Sequence, residues 1–141
     1  MRVVEIIRRP TDAERRRLVE FVERTTQRLG ARPLSDHLWL DLTNGHNDGF
    51  VAVTVADESG IIALAQVSSA NDSASLEVVV DPGVADQRAV RDDVVETITD
   101  SVRHHGGGML FWWVDDPDPS ELALAARIGL QPDRELLEMR R

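Results

Sequence analysis

The sequence predicts an α+β fold, a mixed and mostly antiparallel central sheet flanked by helices. Three observations carry that expectation. Apolar runs at residues 50–56, 61–67 and 76–80 follow one another through short polar turns, as in an antiparallel meander. The apolar period then lengthens from two to about 3.6, with Val90, Val94, Val95, Ile98 and Val102 along one side of a helix. A second continuous apolar run, residues 109–114, follows and reads as one more buried strand, so a crossover helix ties the meander to a further strand.

Taken in order, residues 3–7 form a short first strand. Thr11-Asp12-Ala13-Glu14 has the threonine-x-x-glutamate pattern of a capping box and opens a helix. Leu18, Val19, Phe21, Val22 and Leu29 give that helix an apolar face, Gly30 stops it, and Pro33 lies beyond. Ser35 opens a second, short helix with Leu38, Trp39 and Leu42 as its buried stripe, ended by Asn44-Gly45. Asp57-Glu58-Ser59-Gly60 has the composition of a hairpin turn, and residues 69–73 form a second polar turn. Val78, Val79 and Val80 are uninterrupted, which suggests a central strand covered on both faces. The helix after them ends at Gly106. Asp118-Pro119-Ser120-Glu121 supplies an N-cap, a proline at the first helical position and a glutamate at the third. Leu122, Leu124, Ala125 and Ile128 follow as the buried face, Gly129 is the C-cap, and residues 135–139 close the chain as a last strand.

A length of 141 residues fits one domain, residues 1–141, with a core of its own. Arg8 and Arg9 interrupt the only early apolar run, and no apolar stretch approaches the roughly 20 residues of a membrane span, so a cytoplasmic protein without a membrane partner is expected. The absence of cysteine removes disulfides, thiolate nucleophiles and Cys-based metal sites. Lys+Arg at 16, all of it arginine, against Asp+Glu at 25 gives a net charge of -9, which repels nucleic acid.

The strand Leu76-Glu77-Val78-Val79-Val80 with the turn Asp81-Pro82, the step Ala125-Ala126-Arg127-Ile128-Gly129-Leu130, and the tail from Arg134 to Arg141 together resemble the GNAT acetyltransferase superfamily over nearly the whole chain. With Phe111-Trp112 and Asp118-Pro119 added, the C-terminal third resembles the N-terminal half of the mycothiol synthases, a two-domain branch of that superfamily. The resemblance implies acetyl-CoA as co-substrate and a small-molecule amine as acceptor. It also implies a homodimer or a second GNAT domain as partner, because the two-domain branch carries two such units and this chain one. In that superfamily a turn with arginine or glutamine, then glycine, then glycine or alanine, holds the pyrophosphate through backbone N–H groups. Its positions fall here at Ala85, Arg88 and Val90, or, with a two-residue slip, begin at Gln87 and still meet Val90 where glycine belongs. Asp86 adds negative charge, bulky side chains at glycine positions obstruct the backbone's approach, and Arg88 and Arg91 offer compensating charge.

By the same resemblance Val78, Val79 and Val80 bind acetyl-CoA, their backbone N–H groups polarising the acetyl carbonyl, and Gln87, Arg88, Ala89, Val90 and Arg91 lie at the phosphates. Glu77 is the candidate base, in an otherwise apolar strand where desolvation favours a proton acceptor; a solvent-facing or arginine-paired strand glutamate is the alternative. Trp113 and Asp115 are the candidate acceptor contacts, with Asp116 beside them in a turn of ordinary composition. Trp112 and Trp113 point to opposite faces of a strand, so at most one of them lines a groove. The superfamily often uses a tyrosine as acid, and this chain contains none. His37 and His46 read as isolated surface groups, and His104-His105 as residues suited to a helix C-terminus rather than a metal site. The degenerate turn and missing tyrosine keep a second reading open, a catalytically inactive GNAT-fold domain with a binding, regulatory or pairing role.

Overall fold

Capping chemistry sets the boundaries of the first and last helices. The computed structural model describes residues 2–44, 49–70, 73–105, 109–114, 117–133 and 136–139. Helix α1, Asp12–Leu29, starts at the expected capping box, with the Thr11 hydroxyl taking the Glu14 N–H and the Glu14 carboxylate taking the Thr11 N–H. It ends at Gly30, whose φ of 83° is the left-handed conformation a glycine adopts without penalty. Helix α2 spans Asp36–Asn44, and the Ser35 carbonyl receives its first N–H, from Trp39. Helix α3 spans Gln87–His104, and α4, Pro119–Ile128, opens on a second capping box formed by Asp118 and Glu121. The expected helix ends at Gly45 and Gly106 lie outside the described residues.

Among the described residues the strands are β1 (Val3–Ile7), β2 (Val51–Asp57), β3 (Gly60–Ala70), β4 (Ser73–Val80), β5 (Met109–Trp113), β6 (Gln131–Asp133) and β7 (Leu136–Met139). They form one sheet in the order β1-β2-β3-β4-β5-β7-β6, parallel only where β4 meets β5. This is the mixed, mostly antiparallel sheet that the sequence predicts. The sheet adds one strand to the prediction: Pro132 and a length of three residues hide β6 from any alternation test.

Helices α3 and α4 cover one face, where Val90, Val94, Val95, Ile98, Leu124 and Ile128 pack on Val53, Ala65, Leu76, Leu110 and Trp112. Helices α1 and α2 cover the other, where Leu18, Phe21, Val22, Leu38 and Leu42 pack on Ala52, Leu64 and Val79. Two expected core residues are not there. Leu29 is 52% exposed in the last turn of α1, and Leu122 is 40% exposed on the outer side of α4. Val102 and Trp39 are half-buried rather than buried.

Candidate functional site

The single parallel pairing opens the site. Strand β4 pairs with β5 from Ser73–Met109 to Leu76–Trp112 and no further, while its pairing with β3 continues to Val80. From Glu77 to Val80 the strand therefore keeps one neighbour, and every second residue turns its backbone N–H and C=O into a wedge that β5 leaves open. The uninterrupted valines explain why this stretch stays a strand. Val79 packs under α1 and α2, and Val78 and Val80 pack against the α3 face, so both faces are covered.

On the α1–α2 side of the wedge lies a cavity of about 540 Å³. Ser75, Glu77 and Trp113 belong to its sheet floor, and Arg32, Ser35 and His37 to its wall from the start of α2. Alternation sends Trp112 into the core, 1% exposed, and leaves Trp113 half-exposed at the cavity. The Glu77 carboxylate accepts the Ser35 backbone N–H at 2.7 Å, so it sits against the first turn of α2. Its cross-strand neighbour is Gln66, fully buried, whose amide N–H donates to the Leu38 carbonyl at 2.7 Å. Adjacent positions on β3 and β4 thus hold both ends of that turn. Among the described groups, Gln66 Oε1 is buried without a hydrogen-bond partner.

At the far end of β4 the chain turns into α3. The Asp81 carboxylate accepts the Gly83 N–H at 2.9 Å and is paired with Arg28 of α1. Asp86 stands at the N-cap without making a side-chain cap bond, 3.7 Å from Arg2. The first-turn amides of α3, Gln87 to Ala89, therefore precede the first intrahelical bond, which runs from Val90 N–H to the Asp86 carbonyl at 3.1 Å. The Gln87 side chain folds back onto the Pro82 carbonyl at 2.9 Å. Val90 departs from its sequence expectation: its side chain is fully buried in the core, so it does not stand over the turn as an obstruction. Arg91 is likewise committed, at 2.9 Å to Asp92 and 3.2 Å to the Ser120 hydroxyl, whereas Arg88 and Ala89 are exposed. Asp118, at the start of α4, is held below the ordinary carboxyl range by the Ser120 hydroxyl and the Glu121 N–H, with Arg91 and Arg88 adding to the effect.

This geometry fits an anionic ligand at the turn. Each acid that the sequence places there has an arginine beside it, Arg28 for Asp81 and Arg2 for Asp86, and the first turn of α3 has no side-chain cap and carries the exposed Arg88. The candidates Glu77, Val78 and Trp113 meet at one cavity; Gln87 to Arg91 lie at the other end of β4; Asp115 and Asp116 lie outside the described residues, as does His46. His37 is exposed, as the sequence reading expects of a surface group, and it stands at the rim of the cavity. His104 and His105 bond through Nδ1 to backbone carbonyls of α3, and no cluster of metal-binding side chains occurs among the described residues. No helix there is long and apolar enough to cross a membrane.

No family model matches the chain. It is 30% identical over 127 residues to the mycothiol acetyltransferase of Kocuria rhizophila, a match that covers 88% of this chain and 40% of that protein. The chain thus spans well under half the length of this curated relative. Among solved structures, a GNAT-family acetyltransferase of Staphylococcus aureus superposes with a TM-score of 0.68 at 13% identity, over 97% of this chain and 98% of that one. The PaiA N-acetyltransferase of Thermoplasma acidophilum, in complex with coenzyme A, superposes with a TM-score of 0.61 at 11% identity, over 99% of both chains.

Proposed function

We propose, from the premise that this chain is a member of the GNAT acetyltransferase superfamily, that it transfers an acetyl group from acetyl-CoA to a small-molecule amine. The observation that carries the proposal is the wedge between β4 and β5, with Glu77 on the cavity side of it. The thioester carbonyl lies along Val78 to Val80, where strand amides without a β5 partner donate to its oxygen as negative charge develops. The phosphates rest on the first-turn amides of α3 with Arg88 beside them, and Arg91 supports Ser120 and Asp92. The amine enters the cavity between Trp113 and α2, loses a proton to Glu77, and attacks the acetyl carbon. Nothing in the cavity specifies which amine.

The resemblance to one part of a longer enzyme supports a partner, a second copy of this chain or another GNAT domain, and the superfamily reading supports a cytoplasmic location. Calorimetric titration with acetyl-CoA tests the proposal. Saturable heat and a thermal upshift are the expected result; neither at millimolar ligand overturns it and leaves an inactive binding scaffold.

A further inference from the structure

We propose that His37 relays the acceptor's proton from Glu77 to solvent. The inference rests on the acetyltransferase reading and adds to it a residue that handles protons. Glu77 touches the start of α2 at Ser35, and His37 lies two residues on in the same helical turn, lining the same cavity. One turn further along α2, the Asp41 carboxylate stands 3.7 Å from His37 Nε2. The imidazole is half-exposed, at 48%, whereas the Asp41 side chain is only 18% exposed. The ring thus has water on one side and a mostly covered carboxylate on the other. A carboxylate so placed orients an imidazole.

The chemistry requires such an exit. An aliphatic amine has an ordinary pKa of about 10 and arrives as an ammonium. One proton must leave before its nitrogen can attack. That proton passes from nitrogen to the Glu77 carboxylate, from Glu77 to the neutral imidazole of His37, and from the imidazolium to water, which restores both side chains. The freed lone pair forms the C–N bond to the acetyl carbon, the C–S bond breaks with its electron pair on the sulfur of coenzyme A, and the nitrogen's second proton passes through water to that thiolate, giving the neutral amide and the free thiol. Three charged groups surround His37 in the cavity and on its helix. Glu77 of β4 and Arg32, before α2, line the same cavity, Asp41 of α2 stands beside the ring, and Arg32 is itself paired with Asp36. Arg32 also lies over the Trp39 ring, 5.4 Å from its centroid, so it is held away from free rotation into the relay.

The test is turnover of the intact chain with acetyl-CoA and a set of primary amines (ethanolamine, tyramine and spermidine), followed by release of free thiol in weak, dilute buffer. His37→Ala is expected to lower kcat by roughly 10²-fold with KM for acetyl-CoA unchanged. Added imidazole at tens of millimolar restores most of the loss. Asp41→Asn gives a smaller loss, and imidazole does nothing for Glu77→Gln, whose defect lies upstream of the relay. His37→Gln, closer in size and also unable to relay, serves as the second variant and behaves as His37→Ala does. Wild-type turnover in either variant, or a loss that imidazole leaves untouched, overturns the relay while the acetyltransferase reading stands. A wild-type chain that releases thiol with none of the amines and shows no saturable binding of acetyl-CoA overturns both.

Discussion

Replacing Glu77 by glutamine separates its two roles. The amide oxygen of glutamine still accepts the Ser35 N–H that the carboxylate now holds at 2.7 Å, so α2 keeps its seat. What changes is a hydrogen bond to an ion becoming one between neutral groups, a difference of about 1 kcal/mol at most for a half-buried site. For a chain of 141 residues that corresponds to a fall in Tm of about 3 °C or less. Turnover behaves differently, because the amide cannot take a proton: kcat with the best amine substrate should fall by roughly 10²- to 10⁴-fold. Affinity for acetyl-CoA, proposed to be held along Val78 to Val80 and at α3, should stay within about twofold, since one charge at a distance from the phosphates shifts little. Calorimetry, a thermal melt and thiol release measure the three quantities on one preparation. Unchanged turnover at unchanged Tm refutes Glu77 as the base, whatever becomes of the fold.

Arg88→Ala should weaken acetyl-CoA binding roughly 3- to 5-fold at low salt, with the difference fading at high salt as expected of an exposed charge; equal affinities at low salt place the phosphates elsewhere. Thr11→Ala removes half of the α1 capping box and should lower stability by about 1 kcal/mol, a Tm drop of about 3 °C in a circular-dichroism melt, with no change in acetyl-CoA affinity. Asp118 has a folded pKa depressed below the 3.8 of a free carboxyl, so its contribution is present above 3.8 and is lost as pH falls through the lower folded value. Denaturation of wild type and Asp118→Asn across acid pH should therefore show a stability gap near neutrality that begins to close at about pH 3.8; a gap that stays constant to lower pH removes the linkage.

Much of this fold is legible in the sequence because its signals are local. The capping boxes at Thr11 and Asp118 and the glycines at Gly30 and Gly129 fix helix ends through contacts within a few residues, and all four positions act in the structure as their spacing predicts. The meander is legible for the same reason, since its turns join strands that pair with their sequence neighbours. Leu29 and Leu122 mislead because a period of 3.6 assigns them to a face without knowing where the neighbouring elements end. The site is less legible because it is made of distant pairings. Gln66 meets Glu77 across two strands, and Ser35 and His37 reach the same cavity from a helix about forty residues earlier in the chain. Val90 shows the converse: judged by its place in a motif it looks like an obstruction, yet the helix rotates it into the core.

The pairing of Gln66 with Glu77 also explains a polar residue in the middle of a buried strand. A backbone carbonyl can only accept, so the bond to the Leu38 carbonyl fixes which end of the Gln66 amide faces α2 and leaves Oε1 buried on the other side. An unsatisfied acceptor of that kind costs about 1–3 kcal/mol, and leucine at this position would avoid it. With leucine there, however, among the described residues the polar contact that holds the first turn of α2 to the sheet would be that of Glu77 with the Ser35 N–H. A base that turns toward an incoming amine releases that N–H, and the wall of the cavity would loosen at the moment the acceptor needs to be held. Gln66 keeps the turn seated through Leu38 while Glu77 exchanges partners. Anchoring and chemistry are thereby assigned to separate side chains on adjacent strands.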